Sequence, residues 1–404
     1  MTTEMVHVKS IKYKRTCRVS FPHPLFRLSI ILSLLFFFTN SSHGGDTNRS
    51  TVLLLGQSCA LSGPAKNLGL EMQAGLRTAL AEINDQGGVK GRTVLLRSMD
   101  DGYEPDRAIR NTLELIQDDQ VFLLIGEVGT PTAKAVIPII EKYKIPFFAP
   151  LSGAELLRTP FHPFIINIRA SYYQEMEALA SYLIDKQGMQ RIACFYQNDS
   201  YGFSGLKGIE LALQKRNMQL VSQGSYERNT VTVMGGLQEI YQTDPEAVIL
   251  VGTYAACSEF IKLSKAKKKR TKIFGNISFV GTESLKNALD TYGENVIVSQ
   301  VVPFPWDNRI PLVREYREAM HRYQRDFPIS FISLEGYIAG KLFAAIADAV
   351  PGELTRDKFI ETMQQKGRFD LGGVLFQFGK NDHQGMDSIY LTTIYPFIQK
   401  VTDE

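Results

Sequence analysis

Short apolar runs and amphipathic stretches alternate along this chain in two series, one beginning at Thr51 and the other at Ser171. In the first, Thr51-Val-Leu-Leu-Leu55, Thr93 to Ser98, Val121-Phe-Leu-Leu-Ile125, Phe147-Phe-Ala149 and Phe164-Ile-Ile-Asn-Ile168 have the length and bulk of buried strands. Helical patterns lie between them, one through Glu71, Gly75, Ala79 and Ile83 and another after Pro105 with Ala108, Leu113 and Ile116 inward. The second series is led by Ser171-Tyr-Tyr-Gln174, a capping-box sequence, ahead of a helix carrying Met176, Leu179 and Leu183. Its strands are Arg191 to Tyr196, Leu220 to Tyr226, Ala247 to Val251 and Val296 to Val302. Alternation of this kind demands parallel strands covered by helices, an α/β architecture. At 404 residues the chain exceeds one ordinary core, so two lobes of like build are expected. The repeat lies in the order of elements, not in the residues.

Three further helical patterns follow, over 311–323, 333–350 and 355–365. Two strands then close the chain, Gly373 to Phe378 and Ser388 to Thr393, expected to pair across the turn Gly379-Lys-Asn-Asp-His-Gln-Gly385. No further βαβ unit is present in this tail, so it should add edge strands to a lobe already built.

The N-terminus reads differently from the rest. Six basic residues, from Lys9 to Arg27, lead into the apolar run Leu28-Ser-Ile-Ile-Leu-Ser-Leu-Leu-Phe-Phe-Phe38, and Ser42-His43-Gly44 follows with small residues at the positions a signal peptidase reads. This is the pattern of a cleaved secretory leader over 1–44. The run covers 11 residues, short of the roughly 20 that a spanning helix needs. Export with cleavage of the leader is therefore expected. Loss of the leader removes six of 45 basic residues and one of 42 acidic ones, turning the formal charge from +3 to −2. A nearly neutral exported chain has no electrostatic reason to bind nucleic acid. The basic block Lys265-Ala-Lys-Lys-Lys-Arg-Thr-Lys272 reads as a solvated helix end.

Chemistry is thinly represented. Cys59, Cys194 and Cys257 remain after the leader, without CxxC spacing, and no disulfide is expected. His162, His321 and His383 stand far apart and form no HExxH pair. Neither a GxSxG elbow nor a GxxxxGK[ST] loop occurs, and Gly87-Gly-Val-Lys-Gly91 follows a helix where a dinucleotide fingerprint would follow a strand. Asp100-Asp101 sits in a polar loop where acids usually form turns. No catalytic residue, no metal and no cofactor is expected.

What the sequence does offer is a pair of adjacent loops. Gly126 to Thr132 and Leu151-Ser-Gly-Ala154 each follow a short strand and carry hydroxyls, glycines and little bulk. In an open α/β sheet the ligand crevice lies outside the carboxyl ends of the strands, and N–H groups at a helix start attract a carboxylate. The two loops together form a cradle for a small polar ligand.

Gly56-Gln-Ser-x-x-Leu-Ser-Gly-Pro64, Gly75-x-x-x-Ala79-x-x-x-Ile-Asn-x-x-Gly-Gly-Val-x-Gly-Arg92 and Asp100-Asp101 occur in order, joined by Pro138, Ile145-Pro146, Ala149-Pro150 and Tyr201-Gly202. This set, spanning nearly all of the chain after the leader, resembles the leucine/isoleucine/valine-binding type of periplasmic solute-binding protein. The resemblance implies a type I binding-protein fold, two Rossmann-like lobes joined by three crossover segments, here near Ile168–Ala170, Gln300–Val302 and Gly367–Leu371. Lobe 1 would comprise 51–168 and 302–366, and lobe 2 would comprise 169–301 and 367–404. It implies a ligand held between the lobes and delivered to an inner-membrane ABC permease, by a protein expected to be monomeric. A ligand-sensing periplasmic receptor without a transporter is the alternative. The ligand carboxylate would fall to Thr130, Thr132, Ser152 and Gly153, and the covering aromatics to Tyr201 and Tyr254. The ammonium-binding glutamate of the family falls in Gly275-Asn-Ile-Ser-Phe-Val-Gly281, where the nearest match is Ser278, with Glu127 and Glu335 as replacement acids. A buried ammonium without a carboxylate is costly, so unless one of these acids replaces the glutamate, an amide, a urea-like compound or a short carboxylate suits the neutral hydroxyl better than an amino acid.

Overall fold

The structure, a computed structural model, describes residues 51–267, 271–395 and 398–401. The expected leader and residues 268–270 of the basic block lie outside these.

The first five strands are β1 (Val52–Cys59), β2 (Thr93–Asp100), β3 (Leu124–Ile125), β4 (Phe147–Phe148) and β5 (Ile165–Ile166). They form one parallel sheet in the order β2-β1-β3-β4-β5. Helices α1 (Lys66–Asp85), α2 (Pro105–Gln117) and α3 (Thr130–Tyr143) connect them. The second sheet is built from β6 (Ile192–Gln197), β7 (Ser222–Tyr226), β8 (Ala247–Val251), β9 (Ile273–Asn276) and β10 (Val296–Gln300). Its parallel part runs β7-β6-β8-β9-β10, the same order as the first. The helices here are α4 (Tyr172–Ala180), α5 (Ser200–Gln214), α6 (Met234–Ile240), α7 (Tyr254–Ala266) and α8 (Thr282–Leu289). Two sheets with one winding order make two Rossmann-like lobes. The expected fold class holds.

The capping box read from Ser171-Tyr-Tyr-Gln174 is present, with Ser171 Oγ accepting from Gln174 N at 3.3 Å and Gln174 Oε1 from Ser171 N at 2.7 Å. The helix that it starts runs on past Ala180 through a π-helical stretch, Ser181–Lys186. Strand β9 is absent from the sequence reading. It is four residues long and holds Gly275 and Asn276, so neither length nor bulk announces it.

Three late helices, α9 (Pro311–Tyr323), α10 (Phe331–Ala349) and α11 (Arg356–Lys366), return to the first lobe. There α10 lies directly on α1. A Cβ at Gly75 would come within 1.9 Å of Ser333 O, one at Gly336 within 2.4 Å of Met72 O, and one at Gly340 within 2.6 Å of the Ala79 side chain. The Gly75-x-x-x-Ala79 spacing is thus a seam on which two backbones touch, and the packing of dense interiors leaves no room for a larger residue.

The tail differs from the expectation. Strand β12 (Val374–Gln377) pairs with β11 (Arg368–Leu371), and β13 (Tyr390–Thr393) pairs antiparallel with β10. The two strands read as a hairpin therefore belong to different sheets. The reason is that Gly372 and Gly373 take positive φ (58° and 94°) and close a tight β11–β12 turn beside Pro311. The chain reaches the second sheet only afterwards, over 379–389, where β13 and β14 (Gln399–Lys400) extend it as edge strands. Of the basic block, Lys265 donates to Tyr292 O at 2.9 Å and Lys272 to Glu246 at 3.1 Å. Cys59, Cys194 and Cys257 are buried free thiols. No described helix is long and apolar enough to cross a membrane.

Candidate functional site

Both cradle loops converge. The bridge between Val128 and Leu151 holds them side by side, and Leu151 N donates to Glu127 O at 2.7 Å. Thr130, the first residue of α3, and Ser152 share a hydrogen bond, Oγ1 to Oγ at 2.8 Å, with both side chains fully buried. Gly129 caps α3 at φ 112°, and a Cβ there would stand 2.2 Å from the Tyr103 ring. Gly153 likewise lies flat against Tyr172, with 2.5 Å from a notional Cβ to the ring. Glycine is required at Gly129 for its backbone angle and at both positions for the close approach.

Tyr172 is the centre of this group. Its phenol stands beside the hydroxyls of Thr130 and Ser152, and burial pushes it up against their influence and that of Arg169. The phenol oxygen is buried and has no hydrogen-bond partner in the protein. A buried hydroxyl of this kind normally finds one. Aromatic rings close the space. Tyr172 and Tyr201 lie 5.5 Å apart, Tyr201 and Phe279 4.6 Å, and Tyr103 and Phe279 6.1 Å, centroid to centroid. Tyr201 comes from the second lobe and is fully buried. Tyr254, the other expected aromatic, begins α7 and is half-exposed. Burial and Glu71 raise its phenol, which faces Asn67 at the start of α1.

The remaining expected residues lie elsewhere. Thr132 donates to Val128 O (2.8 Å) and Gly129 O (3.0 Å), so it braces its own turn. Glu127 is buried with neither carboxyl oxygen partnered, beside Ser58 and Asp101. Burial first and Asp101 second push its carboxyl up. Ser278 and Glu335 meet on Arg169, a residue the sequence reading passed over. Arg169 Nη1 lies 3.4 Å from Glu335, and Nη2 lies 3.3 Å from Glu175 and donates to Ser278 Oγ. Glu175 accepts in turn from Ser278 N (2.8 Å), Ser278 Oγ (3.0 Å) and Ser299 Oγ (2.6 Å). Burial works against the Arg169 charge, but Glu335 and Glu175 overcome it. With its hydroxyl donating to Glu175 and accepting from Arg169, Ser278 is committed inside the protein. Glu335 is committed to the same arginine.

An acid does stand close to the expected segment. Glu283, five residues past Ser278 in the first turn of α8, has a buried Oε2 without a partner, while Oε1 accepts from Phe331 N at 3.1 Å. Glu71 of α1 acts on it from the first lobe, 4% exposed, with Oε1 on Ser284 Oγ at 3.1 Å and Oε2 unpartnered. Burial raises both carboxyls, and Glu71 raises Glu283 further. Arg169 and Glu283 could have been noticed as charges embedded in otherwise apolar or small-residue stretches. Tyr103, Tyr172 and Phe279 gave no such signal, since an aromatic beside a strand reads as core.

Bonds between the lobes hold them together at two rims. At one, Arg228 Nη2 donates to Glu104 (2.8 Å), and Asn229 Nδ2 to Glu104 (2.6 Å) and Gly102 O (3.0 Å). At the other, Asn67 Nδ2 donates to Ser284 Oγ at 3.0 Å. Across the middle, Gln197 Nε2 reaches the Tyr103 phenol at 3.3 Å.

Residues 54–395 match the family described as Periplasmic binding protein. The chain belongs to the periplasmic binding protein family. The "Leu/Ile/Val-binding protein homolog 7" of Brucella abortus (strain 2308) is 27% identical over 322 residues, covering 76% of this chain and 80% of that one. The Leu/Ile/Val-binding protein of Escherichia coli (strain K12) is 24% identical over 343 residues, 80% of this chain and 88% of that one. Among solved structures, a possible leucine/isoleucine/valine-binding protein from Rhodopirellula baltica SH 1 superposes with a TM-score of 0.83 at 38% identity, covering 88% and 98% of the two chains. This binding protein is accordingly a non-enzymatic solute binder of the leucine/isoleucine/valine type, with the type I fold.

Proposed function

We propose that this protein captures a small α-amino acid between its lobes in the periplasm, after a leader over 1–44 is removed, and delivers it to an inner-membrane ABC permease. The observation that carries the reading is the Tyr172 phenol, buried without a partner beside Thr130 and Ser152 at the start of α3. Three hydroxyls and a helix N-terminus suit a carboxylate, because they donate and the helix end carries positive potential. Gly153 brings its backbone to the same place. Tyr201 and Tyr254 cover the ligand from the second lobe, with Phe279 and Tyr103 as its apolar wall.

The negative end is assigned to Glu283 and Glu71 rather than to Ser278, Glu335 or Glu127. Two buried carboxyls with unpartnered oxygens need a proton or a cation between them, and an ammonium supplies three donors. The names of the relatives, Leu/Ile/Val-binding proteins, favour an aliphatic side chain. Closure follows from the greater affinity of the ligand for the closed state, by rotation at the crossings. On this reading the lobes divide near 168–170 and 300–302, and the third crossing lies over 379–389 instead of Gly367–Leu371, because the β11–β12 pair accompanies α9 and α10.

The decisive experiment is calorimetry with leucine and with 4-methylpentanoate, which has the same skeleton without the ammonium, together with mass spectrometry of any solute that co-purifies. Leucine should bind and the deaminated acid should lose most of its affinity, with Glu283→Gln removing the difference. Equal binding of the two would leave the carboxyl pair outside the site and favour a short carboxylate. Loss of solute uptake when the permease is deleted, with the protein still secreted, distinguishes transport from the receptor role.

A further inference from the structure

A cavity of about 320 Å³ lies at the crossings and shares no residue with the Thr130–Ser152 cradle. Its walls are the loop after that cradle, Asn167 on the first crossing, the first turn of α4 and the segment 381–387. Asn167 N donates to His383 O, and Gly385 N to Asn167 O, each at 2.8 Å, so two crossings are zipped together along its floor.

Acceptors dominate the lining. Glu155, Asp382 and Asp387 each use one oxygen internally, on Thr159 Oγ1 (3.1 Å), Gln384 N (2.9 Å) and Gln174 Nε2 (2.8 Å) respectively. Arg158 keeps its charge in this lining while donating to Gln384, Ala154 O (3.0 Å) and Arg169 O (3.0 Å), so it offsets one of the three carboxylates and leaves the acids in excess. Burial holds His383 below its ordinary value, and hence neutral at pH 7. The independent sign is Asn167. Its side chain is 2% exposed and lines the cavity, Nδ2 donates to Leu157 O at 3.1 Å, and Oδ1 has no partner at all. Phe161 adds an aromatic ring that the core does not use, 38% exposed and set edge-on to His383 at 4.8 Å.

We propose that this cavity is a second binding site, for an organic ammonium ion of the short aliphatic amine or diamine class. Acidic side chains attract the charge, the ammonium protons satisfy an acceptor such as Asn167 Oδ1, and an aromatic face favours a cation with an alkyl body. An organic ion fits better than a metal, since among the described residues no three His, Cys, Asp or Glu side chains are placed to hold one. A bound amine would span the first and third crossings and brace the hinge. This site is independent of which solute occupies the interlobe cleft.

The test is titration calorimetry of 1,4-diaminobutane into the secreted form at low ionic strength, with magnesium chloride as the charge control. Saturable binding is expected, with Asp382→Asn/Asp387→Asn weakening it about tenfold or more through lost Coulomb attraction. Phe161→Ala should weaken it several-fold, and all variants should keep the parent melting temperature in the absence of amine. The parent melting temperature should rise with amine, as for any ligand of the native state. No heat up to about 10 mM diamine, binding unchanged in the Asp382/Asp387 variant, or magnesium displacing the amine with no effect of Phe161→Ala would each overturn the assignment.

Discussion

Thr130 and Ser152 lie 22 positions apart on separate loops, yet their hydroxyls are hydrogen-bonded at 2.8 Å in a fully buried setting. A hydroxyl pair has one donor too many for itself, so one proton remains for a third group. If a ligand carboxylate is that group, Ser152→Ala should weaken solute binding by about 1–3 kcal/mol, the range for a charge-assisted hydrogen bond. Calorimetry of the two proteins decides it, and unchanged affinity would remove Ser152 from the ligand contacts.

Arg169 joins the lobes electrostatically, with Glu335 of α10 on one side and Glu175 of α4 on the other. Its side chain is about 1% exposed, so substitution strands two buried acids. Arg169→Met should cost about 3–5 kcal/mol in urea unfolding, the usual penalty for breaking a buried pair from one side. Adding Glu335→Gln should return part of that loss. A single variant as stable as the parent would show that water or another cation replaces the guanidinium.

Asp101 gives a pH dependence with a definite sign. Burial raises its carboxyl to about 6 against hydrogen bonds from Tyr103 N and Ser58, with Asp100 adding to the rise. A folded value above the unfolded one of roughly 3.9 means that the native state holds the proton more tightly. The associated stability is complete below about pH 4 and is lost as pH rises to about 6, by about 3 kcal/mol. Asp100 behaves oppositely, held at about 2 by hydrogen bonds from Ser62, Leu61 N, Gly102 N and Arg107 that outweigh its burial, so its contribution disappears below about pH 4. Asp101→Asn should flatten the decline between pH 4 and 6. Equal slopes in urea midpoints would refute the assignment.

Arg228 and Asn229 fasten the second lobe to Glu104 and Gly102 of the first. Such a clasp exists only when the lobes meet. Arg228→Ala should therefore lower solute affinity by about 0.5–1.5 kcal/mol, since an exposed to half-buried ion pair contributes little more, and should speed release. Thermal stability without ligand should stay near that of the parent. A slower release would mean that Arg228 opposes closure.

The order of local sequence features determined a great deal here: the α/β alternation, the doubled series, the capping box at Ser171, and the two small-residue loops. Each is set by neighbours along the chain, through side-chain periodicity, caps and backbone angles. Tertiary structure alone decided the partners of the buried charges. Ser278 is taken up by Arg169 and Glu175, whereas Glu283 and Glu71 each keep one buried oxygen without a partner, and no spacing in the sequence encodes that exchange. It likewise decided that β12 and β13 part company and that Tyr172 lies on Gly153. Residues far apart in the chain are brought together only when the sheets pack, and the cost of burying a charge or a hydroxyl depends on who else is buried beside it.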